Sequence, residues 1–156
     1  MHNAKISEDV MKRNMWYVAV MALLAVGYLN AQEPYFSDSR SYQSANLDKV
    51  SKRFLECLSS TNEGVLESAL AHIGRMKLYR PEYRNSALEA KVELLANENP
   101  SSKIRYRAYL VSNVLKSPSS FSGIAQMDFA GADELYSAIA GRLEQTMLGS
   151  ANAVTE

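Results

Sequence analysis

Apolar residues recur at spacings of three and four positions in five separate segments of this 156-residue chain. Such spacing collects apolar side chains on one face of an α-helix, whereas a half-buried strand needs strict alternation. Segment 101–118 alternates at first, but the alternation fails after Leu110. Its apolar residues instead form one narrow helical stripe: Ile104, Ala108, Val111 and Leu115. The pattern therefore predicts an all-α fold.

The predicted helices cover residues 46–59, 63–78, 81–97, 101–118 and 132–148. Asn46 is a suitable N-cap for the first helix, and Pro81 is tolerated in the first turn of the third. A loose segment is expected around Phe121 and Phe129. The second stripe comprises Val65, Ala69, Ile73 and Met76, and the last helix is expected to bury Leu135, Ile139, Leu143 and Met147.

The predicted helices come in pairs that repeat along the chain. Two matches lie 39 residues apart and two lie 37 apart: Val65 with Ile104, Ala69 with Ala108, Leu55 with Val92, and Leu58 with Leu95. A helix pair repeated at this period is typical of helical solenoids, in which stacking covers the apolar face that one pair leaves open.

The segments "VLESALAHIGRM" and "IRYRAYLVSNVL" resemble the second helix of a HEAT repeat. In that family an apolar residue is followed directly by an Arg, and a small residue lies three positions after the Arg. Ile104, Arg105 and Ala108 occupy these positions. In the earlier segment, "VLESALAHIGRM", Leu66 stands where this Arg would be. The resemblance implies a short α-solenoid of two helix-pair repeats with a C-terminal capping helix, over residues 47–148, that binds other proteins.

The first segment is predicted to be a signal peptide, residues 1–31, with Met11 as an alternative start. Lys12 and Arg13 precede an apolar run at 15–29, and Ala31 offers a cleavage position. An uncleaved inner-membrane anchor is the alternative. Residues 32–46 are expected to form a flexible lead-in and 149–156 a flexible tail. The predicted location is therefore the bacterial cell envelope, periplasmic or secreted.

Few residues suit catalysis. The single cysteine, Cys57, excludes an intrachain disulfide and a multi-cysteine zinc site. A reactive thiol needs a base, for which only His72 follows the signal segment, and a buried, inert cysteine is the favoured interpretation. No metal or cofactor is expected, and the protein is predicted not to be an enzyme. A ligand-binding or thiol-dependent site at Cys57 and His72, in a groove between helices, is the alternative.

Basic and aromatic residues alternate in "RMKLYRPEYR", at positions 75–84. The net charge of zero and the predicted export disfavour nucleic acid. Arg80, Tyr83 and Arg84 are therefore the predicted partner-binding patch, for an unidentified protein. Alternatively, Tyr79 and Tyr83 close the turn between repeats.

Arg107 falls inside the apolar arc of its helix. A charge there must reach solvent along its stem or pair with a carboxylate. Glu67 and Glu93, on neighbouring predicted helices, are the two candidates. With Ile104, Arg105 and Ala108, Arg107 is assigned a structural role. The function expected overall is that of an exported, non-catalytic scaffold for protein–protein interaction.

Overall fold

The computed structural model describes residues 35–36 and 46–153, with side chains as far as residue 148, and all of them belong to a unit that begins at Pro34. The predicted signal peptide, most of the lead-in and the last three residues lie outside this part. The described elements are helices only: α1 Leu47–Cys57, α2 Glu63–Tyr79, α3 Ser86–Glu98, α4 Ser102–Lys116, the 3-10 helix η1 Pro118–Ile124, and α5 Ala132–Ala153. The predicted all-α class is confirmed.

Polar side chains start the first four helices. In each case the side-chain oxygen of the residue before the helix accepts a backbone N–H of the first turn, which would otherwise lack a partner. Asn46 accepts from Lys49 at 3.1 Å, as predicted. The other three caps follow the same pattern: Asn62 with Gly64, Asn85 with Leu88, and Ser101 with Ile104.

Helix α3 begins at Ser86, five residues later than the predicted start at Pro81. Pro81 and Glu82 form a turn in which the N–H of Tyr83 donates to the carbonyl of Arg80 at 3.0 Å. Asn85 then has extended backbone and caps the helix through its side chain. The prediction was wrong because a side-chain cap defines a helix start more strongly than a proline that merely tolerates one.

The segment expected to be loose is ordered around aromatic residues. Pro118 lies in the first turn of η1, and both Phe121 and Phe129 are buried. Helix η1 packs against α2, α4 and α5. Burial of two aromatic side chains explains why the segment folds onto the helices despite its serines and glycines.

Helices α2, α4 and α5 run parallel to one another. Near their N-termini, Arg107 pairs with Glu67 and lies over the ring of Tyr136. Further along all three helices, a Cβ placed on Gly74 would lie 3.5 Å from Val111 and 4.0 Å from Ile139. Helix α3 packs chiefly on α4, and α1 packs on α2 and α3.

The core lies where these three parallel helices meet. Ile104 and Ala108 are fully buried, as their structural assignment predicted, and so are Ile73, Val111 and Ile139. Val65 departs from its predicted stripe, since it is exposed in the first turn of α2. Among the described residues no helix combines the length and hydropathy that crossing a membrane requires.

Helix α5 extends beyond what the core needs. It continues to Ala153, past the predicted end at Leu148, with no proline to stop it. Leu135 and Ile139 are buried and Leu143 is partly buried, but Met147 is exposed, contrary to the prediction. The apolar stripe of α5 is therefore longer than the surface that the rest of the described fold provides to cover it.

Candidate functional site

An open apolar groove of about 470 Å³ runs between α4 and α5, and we call it the α4–α5 groove. Four of its large apolar side chains are well exposed: Tyr106 at 55%, Tyr109 at 42%, Met147 at 57% and Leu148 at 60%. Leu110, Ala140 and Leu143 line it more deeply. Scattered apolar side chains are ordinary on a protein surface, but a contiguous set of this kind is a candidate for an interaction site.

Helical spacing forms the two walls of the groove. On α4, Tyr109 and Leu110 follow Tyr106 by three and four residues, so all three side chains share a face. Ala140, Leu143 and Met147 do the same on α5. Ala140 and Gly141 have small side chains beside the tyrosines, and this difference in size leaves the space open.

Among the described residues that line the α4–α5 groove, Glu144 is the one that carries a charge. It is exposed and forms no ion pair with another described residue. The groove therefore combines a large apolar surface with one negative charge among its described lining residues.

A smaller polar pocket of about 350 Å³ adjoins the groove and shares Tyr106 and Ala140 with it. Arg107 lines this pocket and forms ion pairs with both Glu67 and Asp133. Lys103 also pairs with Glu67, at 2.5 Å. The predicted need of Arg107 for a carboxylate is confirmed for Glu67, whereas Glu93 pairs with Lys116 instead, at 3.0 Å.

Tyr136 completes this polar cluster. Its hydroxyl donates to the carbonyl of Glu67 at 2.7 Å, and the guanidinium of Arg107 lies 4.8 Å from its ring centre. Burial raises the pKa of Tyr136 above its usual range, with Arg107 acting in the opposite direction. The hydroxyl thus stays a neutral donor that ties α5 to α2.

Of the predicted patch, Tyr83 is used inside the fold, whereas Arg80 is partly exposed and Arg84 is exposed. The Tyr83 hydroxyl lies 3.0 Å from the Ser51 hydroxyl and donates to Asp48 at 3.1 Å, which attaches the α2–α3 connection to α1. Arg80 pairs with Glu82 at 2.5 Å, and Arg84 is exposed. This geometry fits the alternative in which Tyr83 closes the turn between helix pairs.

Two further basic residues of the same sequence stretch are buried. Lys77 donates to the carbonyl of Tyr83 at 2.6 Å, and its pKa is lowered, first by burial and then by the charge of Arg84. Arg75 donates to the carbonyls of Ile124 and Met127, so it stabilises the end of η1. The alternation of basic and aromatic residues therefore does not describe one exposed surface.

Tyr35 and Phe36 pack against α2, a contact that the predicted flexible lead-in did not anticipate. The Tyr35 ring stacks on His72 with centroids 5.4 Å apart, and Phe36 meets His72 edge-on at 5.2 Å. The Arg75 guanidinium lies 5.8 Å from the centre of the buried Phe36 ring. An aromatic pair within a polar, serine-rich segment was the available signal for this contact.

Arg105, the fourth residue assigned a structural role, is partly exposed on α4. Its guanidinium donates to the carbonyls of Asn99 at 2.6 Å and Pro100 at 3.0 Å. These bonds hold the α3–α4 connection against the first turns of α4. Arg105 thus acts locally, whereas Arg107 joins three helices.

Cys57 and His72 line one groove of about 400 Å³ between α1 and α2, together with Phe54, Asn62 and Ser68. Cys57 is half-buried rather than sealed in the core. No carboxylate stands among the described residues of this groove to orient an imidazole that activates a thiol. Among the described residues, no group of His, Cys, Asp and Glu could hold a metal ion.

His72 should make the fold sensitive to acid. Burial lowers the pKa of His72, so the unfolded chain binds a proton more readily than the folded one. Stability is then expected to fall as pH drops below the ordinary histidine pKa, because stability rises with pH wherever the unfolded state holds more protons. Urea unfolding at about pH 7.5 and about pH 5.5 should show a larger loss for the wild type than for His72→Gln. Equal losses would contradict this role.

No protein-family model, curated protein or solved structure matches this chain. Function is therefore inferred from the fold and from the geometry of its surface.

Proposed function

We propose that the chain is an exported, non-catalytic, HEAT-like helical-repeat scaffold that binds another protein in the α4–α5 groove. The exposure of Tyr106, Tyr109, Met147 and Leu148 side by side carries this proposal. Tyrosine and methionine are enriched at protein interfaces, where tyrosine adds a hydrogen-bonding hydroxyl to a large apolar ring. The proposal thus replaces the patch predicted at Arg80, Tyr83 and Arg84.

Covering the groove would bury the remaining exposed parts of four large apolar side chains, each of which is 42–60% exposed. Since complete burial of one such side chain contributes about 1.5–3 kcal/mol, their partial burial favours association and works against its entropic cost. A small number of aromatic anchors commonly dominates the affinity of an interface. Tyr106 and Tyr109 are suited to that role because α4 holds both on one rigid face.

The pairing of α1 with α2 and of α3 with α4 supports the repeat interpretation, and α5 closes the array by packing on both α4 and α2. Helix α3 lies against α4 in the way that α1 lies against α2. In a stack of this kind the last helix leaves one apolar edge without a following repeat. The α4–α5 groove lies beside that last helix, α5.

A thiol-dependent or small-ligand site at Cys57 and His72 is the second candidate, favoured by their common groove between α1 and α2. The exported location is proposed from Lys12, Arg13 and the apolar run at 15–29.

Photo-crosslinking in the native host tests the docking proposal. A benzoylphenylalanine at Tyr106 should give a discrete adduct of higher mass, because a bound protein would cover that side chain. The same group at Leu94, an exposed apolar position on α3 outside the groove, is the matched control and should give none. No adduct from Tyr106, or the same adducts from both positions, would refute docking in the groove.

A further inference from the structure

We infer that the occupant of the α4–α5 groove is an amphipathic helix of another protein, with a basic side chain beside its apolar stripe. This inference rests on the proposed function and names the chemistry of its partner. It is carried by the shape of the groove and by the single unpaired charge in its lining.

The shape favours a helix because both walls are helical ridges. Side chains at spacings of three and four residues leave grooves into which the ridges of a third helix fit. The α5 wall spans residues 140–148, a rise of about 12 Å. An apolar stripe of about two to three helical turns would cover that length.

The charge favours a basic partner because Glu144 is the one carboxylate available to it. Other charged groups nearby are already paired within the protein, since Lys103 contacts Glu67 and Arg107 contacts Asp133. A Lys or Arg beside the apolar stripe of the partner would neutralise Glu144 as water leaves the groove. An acidic residue at that position would be repelled.

The same charge disfavours a second copy of this chain as the occupant. A two-fold dimer centred on the groove would bring two Glu144 carboxylates into one apolar surface. Like charges that meet across an interface cost binding energy unless each also meets an opposite charge.

Two synthetic helical peptides of about 18 residues test the inference. Both carry the same leucine stripe, but one has Lys and the other Glu beside it, and fluorescence anisotropy measures their binding to the purified full chain. The Lys peptide should bind about threefold to fivefold more tightly, the size expected for one partly exposed ion pair. Glu144→Lys should reverse the order. Glu56→Lys, the same change on an exposed position of α1, should leave the ratio unchanged.

The outcomes separate the inference from the proposed function. Equal binding of both peptides, weakened by Tyr109→Glu but not by Glu144→Lys, would overturn the basic partner and leave docking in the groove intact. No binding of either peptide at about 100 µM would overturn a helical occupant. A dimer seen by sedimentation velocity and abolished by Tyr109→Glu would show that a second copy fills the groove. The photo-crosslinked adduct at Tyr106 tests the proposed function independently of these three outcomes.

Discussion

Replacing Arg107 by Ala should lower the free energy of unfolding by about 2–3 kcal/mol, and urea denaturation at neutral pH measures it. Arg107 is buried, and its guanidinium joins α4 to Glu67 on α2 and to Asp133 on α5. Its removal also exposes the Tyr136 ring over which it lies. The three parallel helices thus lose one shared contact at their N-terminal ends.

The expected loss is smaller than for a fully buried ion pair, which reaches about 3–5 kcal/mol. Asp133 is exposed, so its ion pair with Arg107 contributes little to the free energy of unfolding. Lys103 still neutralises part of the charge on Glu67 after the substitution. Arg107→Met should recover some of the loss, because its apolar side chain can still cover Tyr136.

Arg105→Ala is the matched control on the same helix. Arg105 donates to two carbonyls of the α3–α4 connection and is partly exposed, so its loss should cost about 0.5–1.5 kcal/mol. If Arg107→Ala cost no more than Arg105→Ala, the three-helix role of Arg107 would be wrong.

The second large effect is expected in binding. Tyr109→Glu combined with Leu148→Glu should reduce the recovery of the partner by at least about 100-fold. Both side chains are exposed and line opposite walls of the groove, so the substitutions remove two apolar contacts and bury two carboxylates against the partner. Burying an unpaired charge adds a penalty beyond the lost apolar contact.

The double substitution should leave the fold intact. Surface substitutions away from special features usually change stability by about 0.5 kcal/mol or less. The Tyr109 carbonyl, which accepts from Ser112 and Asn113, belongs to the backbone and is retained. A melting temperature close to that of the wild type would therefore separate a binding defect from a folding defect.

Helical periodicity predicted the elements well and one interaction in detail. The stripe through Ile104, Ala108 and Val111 identified α4 as a buried helix, because spacing alone determines which side chains share a face. The position of Arg107 inside that arc then required a carboxylate, and Glu67 supplies it. Both inferences depend only on local geometry and on the cost of burying a charge.

Helical periodicity could not predict the α4–α5 groove. Periodicity predicts that Met147 shares an apolar face with Ile139, but it does not tell how far the neighbouring helix extends to cover that face. The predicted start of α3 failed for a related reason, since the turn at residues 81–85 depends on contacts with α1 through Tyr83. The contact of Phe36 with Arg75 is likewise long-range: the aromatic pair at Tyr35 and Phe36 signals burial, but it does not tell which helix covers it.

Partner recovery from cell-envelope extracts most directly tests the claim that the α4–α5 groove is a docking surface. Wild type, the Tyr109→Glu, Leu148→Glu double variant, and Leu94→Glu as a control on α3 would be immobilised at equal density and their retained proteins quantified. If the groove is the docking surface, we expect one protein to be retained by wild type and by Leu94→Glu and to be lost with the double variant. Equal retention of that protein by all three would contradict it.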